Sequence, residues 1–311
     1  MPSSLSPPYR SPRATRSRAT RRDEGSRSGP PGLRASAVCA RALALALLVA
    51  AAPGAVPASP LPSVASINLC ADQLVLTLAS PEQILTVSWL AADPEESMLA
   101  AQAKRYPLNY GTAEELLRFH PNVVIAGAYT NAFTRALLAR LGYPVVELEP
   151  ETSVADIAAN LKRVALAIGR VERGDALAAE LRSREDRIAA ARPAHVPAAV
   201  VVRPGGFTVG AHSLADDIMT LAGVRNVAAE QGLDRWGSLS METLLRSRPE
   251  LIVLTGYRAS QSSLANATLA HPALRRVRDA SRTAWVPAPY WACGLPESLD
   301  SAALLERAAA P

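Results

Sequence analysis

The chain has 311 residues, 33 Lys+Arg against 28 Asp+Glu, and 49% hydrophobic but only 5% aromatic residues. That is enough for one large domain or two ordinary ones, and it excludes disorder of the whole; no collagen, heptad or solenoid period is visible. The net charge of +5 belongs to residues 1–58, where nine Arg face only Asp23 and Glu24. Residues 59–311 hold 24 basic and 26 acidic residues with no polybasic patch, which argues against a nucleic-acid partner.

Residues 1–34 are Arg, Ser and Pro with little to bury. Arg34 and Arg41 then precede an apolar run, Ala42–Ala52, too short to span a membrane and of the length of a signal-peptide core. Pro53 and Gly54 break it, and Val56-Pro57-Ala58 offers small residues for cleavage, so a mature start near Ser59 is expected. The prefix is long for a leader, and a true start nearer Val38 would suit it better. Cys39 precedes the apolar core and leaves with it. The mature protein is expected to be soluble and outside the cytoplasmic membrane.

From Ser63 the pattern alternates short β-type runs with amphipathic helices. Strands are expected at Ser66–Asn68, Gln83–Ser88, Asn122–Ala126 and Tyr143–Leu148. Helices are expected at Ala71–Ala79, Asp93–Lys104, after the Thr112/Glu115 capping box, and at Asn131–Leu141. From Ser153 to Arg192 there is no strand signal, and only Gly169 and Gly174 interrupt a helical pattern. A second series follows: strands at Ala198–Val202, Phe207–Gly210, Leu251–Thr255 and Thr283–Val286, with helices at Ser213–Ala222, Ser240–Ser247 and Ser298–Ala309. This order describes an α/β protein of two Rossmann-like lobes with largely parallel sheets, joined by a long rigid helix. The bounds are a leader at 1–58, a first lobe at 59–151, a connecting helix at 152–193 and a second lobe at 194–311.

Catalytic signatures are missing. There is no Gly-x-Ser-x-Gly elbow, P-loop or His-Glu-x-x-His, and the four His lie apart from one another at no metal-ligand spacing. Neither enzyme activity, a bound metal nor an intrinsic cofactor is expected. What stands out is the placement of the aromatics. Trp89, Tyr110, Tyr129, Phe207, Trp236, Tyr257, Tyr290 and Trp291 follow strands or lie beside them, where open α/β sheets bind ligands. Six of these, Trp89, Tyr110, Tyr129, Trp236, Tyr257 and Trp291, are expected to line one crevice. Arg203 and Arg258, each just after a strand, are the available cations. An aromatic crevice with so few charges suits a large, partly apolar ligand. Cys70 and Cys293 remain in the mature chain and are expected to face the cleft, either bonded to each other or as free thiols.

At this point the residues carry a resemblance. Ser66-Ile-Asn-Leu-Cys-Ala-Asp-Gln73 with Pro81-Glu-Gln-Ile-Leu85, the block from Gly111-Thr-Ala-Glu-Glu-Leu-Leu117 to Pro121-Asn-Val-Val-Ile125, and Ser240–Leu254 are together similar to the cobalamin- and iron-siderophore-binding proteins of ABC importers. The likeness covers roughly residues 63–300. It implies a monomeric periplasmic binding protein with a helical backbone, which captures a chelate and delivers it to a membrane permease and its ATPase. The ligand would be a corrinoid, ferric siderophore or haem; the scarcity of cations tilts the expectation toward a corrinoid or a less charged siderophore. The family presents one acidic residue per lobe to the permease. Glu242 matches the second-lobe position, whereas the first-lobe segment Asn131-Ala-Phe-Thr-Arg135 has no acid, leaving Glu114 or Glu115 as substitutes. The competing readings are an exported two-lobed enzyme with an interlobe active site, and a receptor that reports its ligand to a sensor.

Overall fold

The computed structural model describes residues 60–256, 264–267, 269 and 271–310. Tyr257 and Arg258, and the expected leader at 1–58, lie outside the described residues. Eleven strands occur among those described: β1 (Val64–Ser66), β2 (Ile84–Ser88), β3 (Leu108–Asn109), β4 (Val123–Gly127), β5 (Val145–Leu148), β6 (Ala198–Val202), β7 (Phe207–Val209), β8 (Arg225–Asn226), β9 (Trp236–Ser238), β10 (Leu251–Leu254) and β11 (Arg282–Trp285). The helices of seven residues or more are α1 (Leu69–Leu78), α2 (Ala132–Arg140), α3 (Val154–Ala167), α4 (Val171–Ala190), α5 (Leu214–Leu221), α6 (Met241–Ser247), α7 (Pro272–Ala280) and α8 (Asp300–Ala309).

In the first lobe the strands form one parallel sheet of order β3-β2-β1-β4-β5. Its inner strands are buried on both faces, as parallel sheets require. Val64, Val123 and Ile125 turn to the main core, while Ala65, Val124 and Ala126 meet Leu116 and Leu138 on the other side. The second lobe repeats the scheme with a parallel sheet of order β11-β10-β6-β8, and a separate antiparallel pair, β7 with β9. In each sheet the order reverses beside its first strand, between β1 and β4 and between β6 and β10. These are the switch points at whose carboxyl ends such sheets bind ligands.

The connector at 152–193 holds two helices rather than one. α3 starts on the Ser153/Asp156 capping box and ends in a Schellman turn: Gly169, at φ 71°, is followed by an Arg170 N–H that reaches back to the Ala165 carbonyl at 2.7 Å. The chain then reverses into α4. Gly174 does not break α4; it lies where the helices pack, and a Cβ there would come within 2.4 Å of the Ala165 Cβ. α4 runs between the lobes, about 30 Å for its 20 residues. Arg173 beside its start donates to the Thr77 carbonyl of α1 at 2.8 Å. Arg184 near its end donates to the Pro296 carbonyl at 2.9 Å and pairs with Asp300. One contiguous apolar cluster, including Val64, Ile157, Leu161, Leu181, Leu295 and Val253, continues from lobe to lobe along this backbone.

A helix expected at Asp93–Lys104 is reduced to one turn at Ala100–Ala103. The Met98 N–H, which a continuous helix would pair locally, instead donates at 2.9 Å to Oε1 of the buried Gln73 in α1. The strand expected at Ser66–Asn68 ends at Ser66, where Asn68 turns to cap α1, and strands β3, β8 and β9 and helix α7 have no counterpart in the sequence reading.

Candidate ligand-binding cleft

A cavity of about 450 Å³ opens at both switch points, within the usual size range of small-molecule sites. From the first lobe it is lined by residues following β1 (Asn68, Cys70), β4 (Gly127–Tyr129) and β5 (Glu149–Thr152). From the second it is lined by residues following β6 (Arg203), β10 (Thr255) and β11 (Ala288, Trp291, Ala292), and by the loops carrying His212 and Arg235 with Trp236.

Local structure fixes each wall. Asn68 caps α1, accepting from the Cys70 N–H at 3.0 Å, and sits so close to β4 that a Cβ on Gly127 would lie 2.7 Å from its Oδ1. Tyr129, 76% exposed, rides on a turn in which the Gly127 N–H donates to Thr130 Oγ1 at 3.0 Å. Arg135 braces that turn by donating to the carbonyls of Gly127 and Ala128, at 3.2 and 3.1 Å, and by pairing with Glu147 at 2.5 Å.

On the second lobe, the His212 and Arg235 loops are pinned together. Ala211 bridges to Asp234, and the Arg235 N–H donates to the Ala211 carbonyl at 2.6 Å. Gly210 is required there, since a Cβ would lie 2.1 Å from the Leu233 carbonyl oxygen. His212 Nδ1 lies 2.8 Å from Asp234 Oδ1; with its proton on Nδ1, the ring keeps Nε2 as its basic nitrogen. Trp291 is anchored by an Nε1–H bond to Ser301 at 2.9 Å, so the indole is a fixed panel of the wall.

Cys70 and Cys293 are bonded to each other, with Cα atoms 5.1 Å apart. The bond crosses from the first turn of α1 to the segment after Trp291, and so from lobe to lobe. Cys70 lines the cavity. Cys293 is buried beneath it, contrary to the expectation that both face the cleft, because the chain turns inward to seat Leu295 in the core. The adjacent Gly294 packs against Glu151 and Ile157, where a Cβ would meet side-chain carbons at 2.6 Å. Burial pushes the Glu151 carboxyl above the usual range, against hydrogen bonds that include one from Asn160 at 2.7 Å.

Of the residues expected in the crevice, the structure brings together Tyr129, Arg203, Trp236 and Trp291. It does not bring in Trp89 and Tyr110. They follow β2 and β3 at the far side of the same sheet edge and pair with each other, ring centroids 6.2 Å apart, outside the cavity lining. The switch point lies on the β1–β4 side, two strands from β3. Sequence reading missed Arg235, His212, Glu149, Glu151 and Thr255 as cleft residues. Glu149 and Thr255, each directly after a strand, carried a signal that could have found them.

Glu242 lies outside the cavity lining, in the first turn of α6, exposed and paired with Arg246 at 2.6 Å. Glu115 is committed to the Thr112 cap and to the Tyr110 N–H, whereas Glu114 is exposed. Among the described residues no group of three or more His, Cys, Asp or Glu could hold a bare metal ion, and no helix is long and apolar enough to cross a membrane.

Solved structures share this two-lobed fold. The periplasmic heme-binding protein RhuT from Roseiflexus sp. RS-1 superposes with a TM-score of 0.67 at 20% identity, over 80% of this chain and 99% of that one. The periplasmic heme-binding protein HutB of Vibrio cholerae gives 0.68 at 18%, over 80% and 99%. The periplasmic vitamin B12-binding protein BtuF of Vibrio cholerae gives 0.60 at 18%, over 80% and 96%. No curated protein sequence matches. The structures named are of heme- and vitamin B12-binding proteins. A family model described as periplasmic binding protein matches residues 64–284, well over half of the sequence, and the chain belongs to that family.

Proposed function

We propose that this protein is the periplasmic receptor of an ABC importer that carries a metal tetrapyrrole, with a haem-type chelate the best fit. The observation that carries the reading is the composition of the cavity at the two facing switch points. Trp236 and Trp291 offer faces for a planar macrocycle, and Arg203 and Arg235 offer two guanidinium groups for its carboxylates. Tyr129 and His212 stand in the same lining, and phenolate and imidazole are both groups that bind haem iron axially. Arg235 shifts the balance from the corrinoid or less charged siderophore expected from the sequence, because it adds a cation that no strand-end pattern announced.

A corrinoid remains the second reading. Glu149 and Glu151 in the first-lobe lining are acceptors suited to the amide N–H groups around a corrin rim. The leader supports export, and the family supports hand-over to a permease and its ATPase. Titration of the purified mature protein with haemin, cyanocobalamin and a ferric siderophore, followed by tryptophan quenching, separates these readings. Haemin is expected to quench with sub-micromolar affinity, and Tyr129→Phe or His212→Ala to alter the haem absorption spectrum. Failure of all three chelates would remove the reading.

A further inference from the structure

The Cys70–Cys293 bond ties the two walls of the cavity together at one point. On the first-lobe side, Cys70 stands in the first turn of α1, held by the Asn68 cap. On the second-lobe side, Cys293 directly follows Trp291 and Ala292, which both line the cavity. Its carbonyl accepts from the Ser298 hydroxyl at 3.1 Å, and the Trp291 indole is tied to Ser301. Each end is firmly mounted, so the bond sets the distance between the walls. The two sulfurs differ in reach. Cys293 is 2% exposed and lies in the core around Leu295, whereas Cys70 is half-buried and lines the cavity, its Sγ 3.7 Å from the carbonyl oxygen of the exposed Ala292. Thiol–disulfide exchange requires a thiolate to reach one of the sulfurs, and access decides which. The way to this bond is through the ligand cavity.

Resting on the receptor function proposed above, we infer that the Cys70–Cys293 bond is a thiol-exchange site guarded by the cargo: a dithiol reductant opens it in the empty receptor, and a bound chelate shuts the reductant out. One thiolate of the reductant attacks Cys70 Sγ. The S–S bond breaks, a mixed disulfide forms on Cys70, and Cys293 leaves as a thiolate that takes up a proton. The second thiolate of the reductant then attacks the reductant's own sulfur in that mixed disulfide, which closes the oxidised reductant and releases Cys70. Two electrons pass from the dithiol to the bond, and its two protons end on the cysteines. Cys70 leaves at the start of a ten-residue helix, where the dipole favours a thiolate. Once the bond is open, α3 and α4 alone hold the lobes, and the wall at Asn68–Cys70 is free to part from Trp291. A cleft that has to be ordered on its ligand binds it more weakly than one already set. Under reducing conditions the loaded receptor therefore keeps its cargo, and the empty one loses its grip.

The mature oxidised protein is first titrated, by tryptophan quenching, with gallium protoporphyrin, a haem analogue that dithiothreitol does not reduce. Reduction by dithiothreitol is then followed without denaturant in the empty and the porphyrin-saturated protein, with the freed thiols trapped by a maleimide and counted by intact mass. The empty protein is expected to yield both thiols of the bond, and the loaded protein to yield them at least roughly tenfold more slowly. The reduced protein and the variant Cys70→Ser/Cys293→Ser should bind the porphyrin roughly tenfold more weakly, through faster release. If the variant does not fold, the reduced wild type supplies that comparison. Equal reduction rates with and without porphyrin overturn the inference. An affinity unchanged by reduction overturns it, as does a bond that opens only after unfolding in guanidinium, and all three leave the receptor reading intact. Where cyanocobalamin quenches and the porphyrin does not, the two rates are compared with cyanocobalamin, and equal rates again overturn the inference. Binding of no chelate overturns both.

Discussion

Asp72 is the clearest single-residue departure from an ordinary environment. It is fully buried in the first turn of α1, where it accepts from the Ser66 and Ser88 hydroxyls and, at 2.9 Å, from the Ser88 N–H. Those bonds favour the carboxylate, but burial outweighs them and pushes its pKa up to about 6. A carboxyl whose pKa is higher folded than unfolded binds more protons in the folded state between the two values. Its contribution to stability is therefore greatest below pH 4 and falls as pH rises to about 6, by about 3 kcal/mol in all. Asp72→Asn keeps an acceptor for Ser66 and the Ser88 N–H and gives the Ser88 hydroxyl a donor. The variant is expected to be more stable than wild type at pH 7 and to converge with it near pH 4. Denaturant unfolding at several pH values reads this directly, and a gap that does not change with pH would contradict it.

At the scale of elements, the two tethers between the lobes differ in kind. α3 and α4 join them through apolar packing and the Gly174–Ala165 contact; the Cys70–Cys293 bond joins them covalently beside the ligand site. With the cysteines 223 positions apart in sequence, the loop closed in the unfolded chain is long, and loop-closure entropy assigns the bond about 5 kcal/mol, with about 2–4 typical of measurements. Reduction is expected to lower the melting midpoint by roughly 5–15 °C, and Cys70→Ser/Cys293→Ser should melt at the lower value whether or not a reductant is present. A wild-type midpoint unmoved by full reduction would show that the bond adds nothing. The even cysteine count in the mature sequence left both pairing and free thiols open. Only the packing of the segment around Leu295 brought Cys293 within bonding distance of α1.

For the whole molecule, the proposed hand-over to a permease calls for an exposed acidic contact away from the cleft. Glu242 is exposed at the head of α6 and held only by Arg246 one turn on. Exposed pairs of this spacing contribute little to stability, so the carboxylate is released to a basic partner at small cost. Glu242→Gln is expected to weaken transport and ATPase stimulation in reconstituted vesicles while leaving chelate affinity unchanged, since the residue lies outside the cleft lining. A fall in affinity would instead make it a binding residue. In the first lobe Arg135 is occupied with the Tyr129 turn and Glu115 with a cap, which leaves Glu114 as the exposed one of the two expected substitutes.

The sequence by itself determined the class of fold, because that is written in local periodicity. β-branched runs such as Ala198–Val202 and Leu251–Leu254 and capped helices at Ser153 and Ser213 occur in an order that only two parallel sheets and a helical connector can satisfy. It also placed Tyr129, Arg203 and Trp291 after strands, where the switch-point rule makes a ligand site, and singled out Trp236 beside them. It could not tell which strand ends meet. Trp89 and Tyr110 carry the same local pattern as Tyr129, yet they lie beyond the crevice because β2 and β3 sit on the wrong side of β1. Arg235 and His212 enter the cleft through the pinning of two loops far apart in the chain. Helix 93–104 yields to one side-chain bond from Gln73. Strand order, loop-to-loop contact and the lobe-to-lobe disulfide are long-range pairings, and their energy appears only when the chain closes on itself; they are what tertiary structure alone decided.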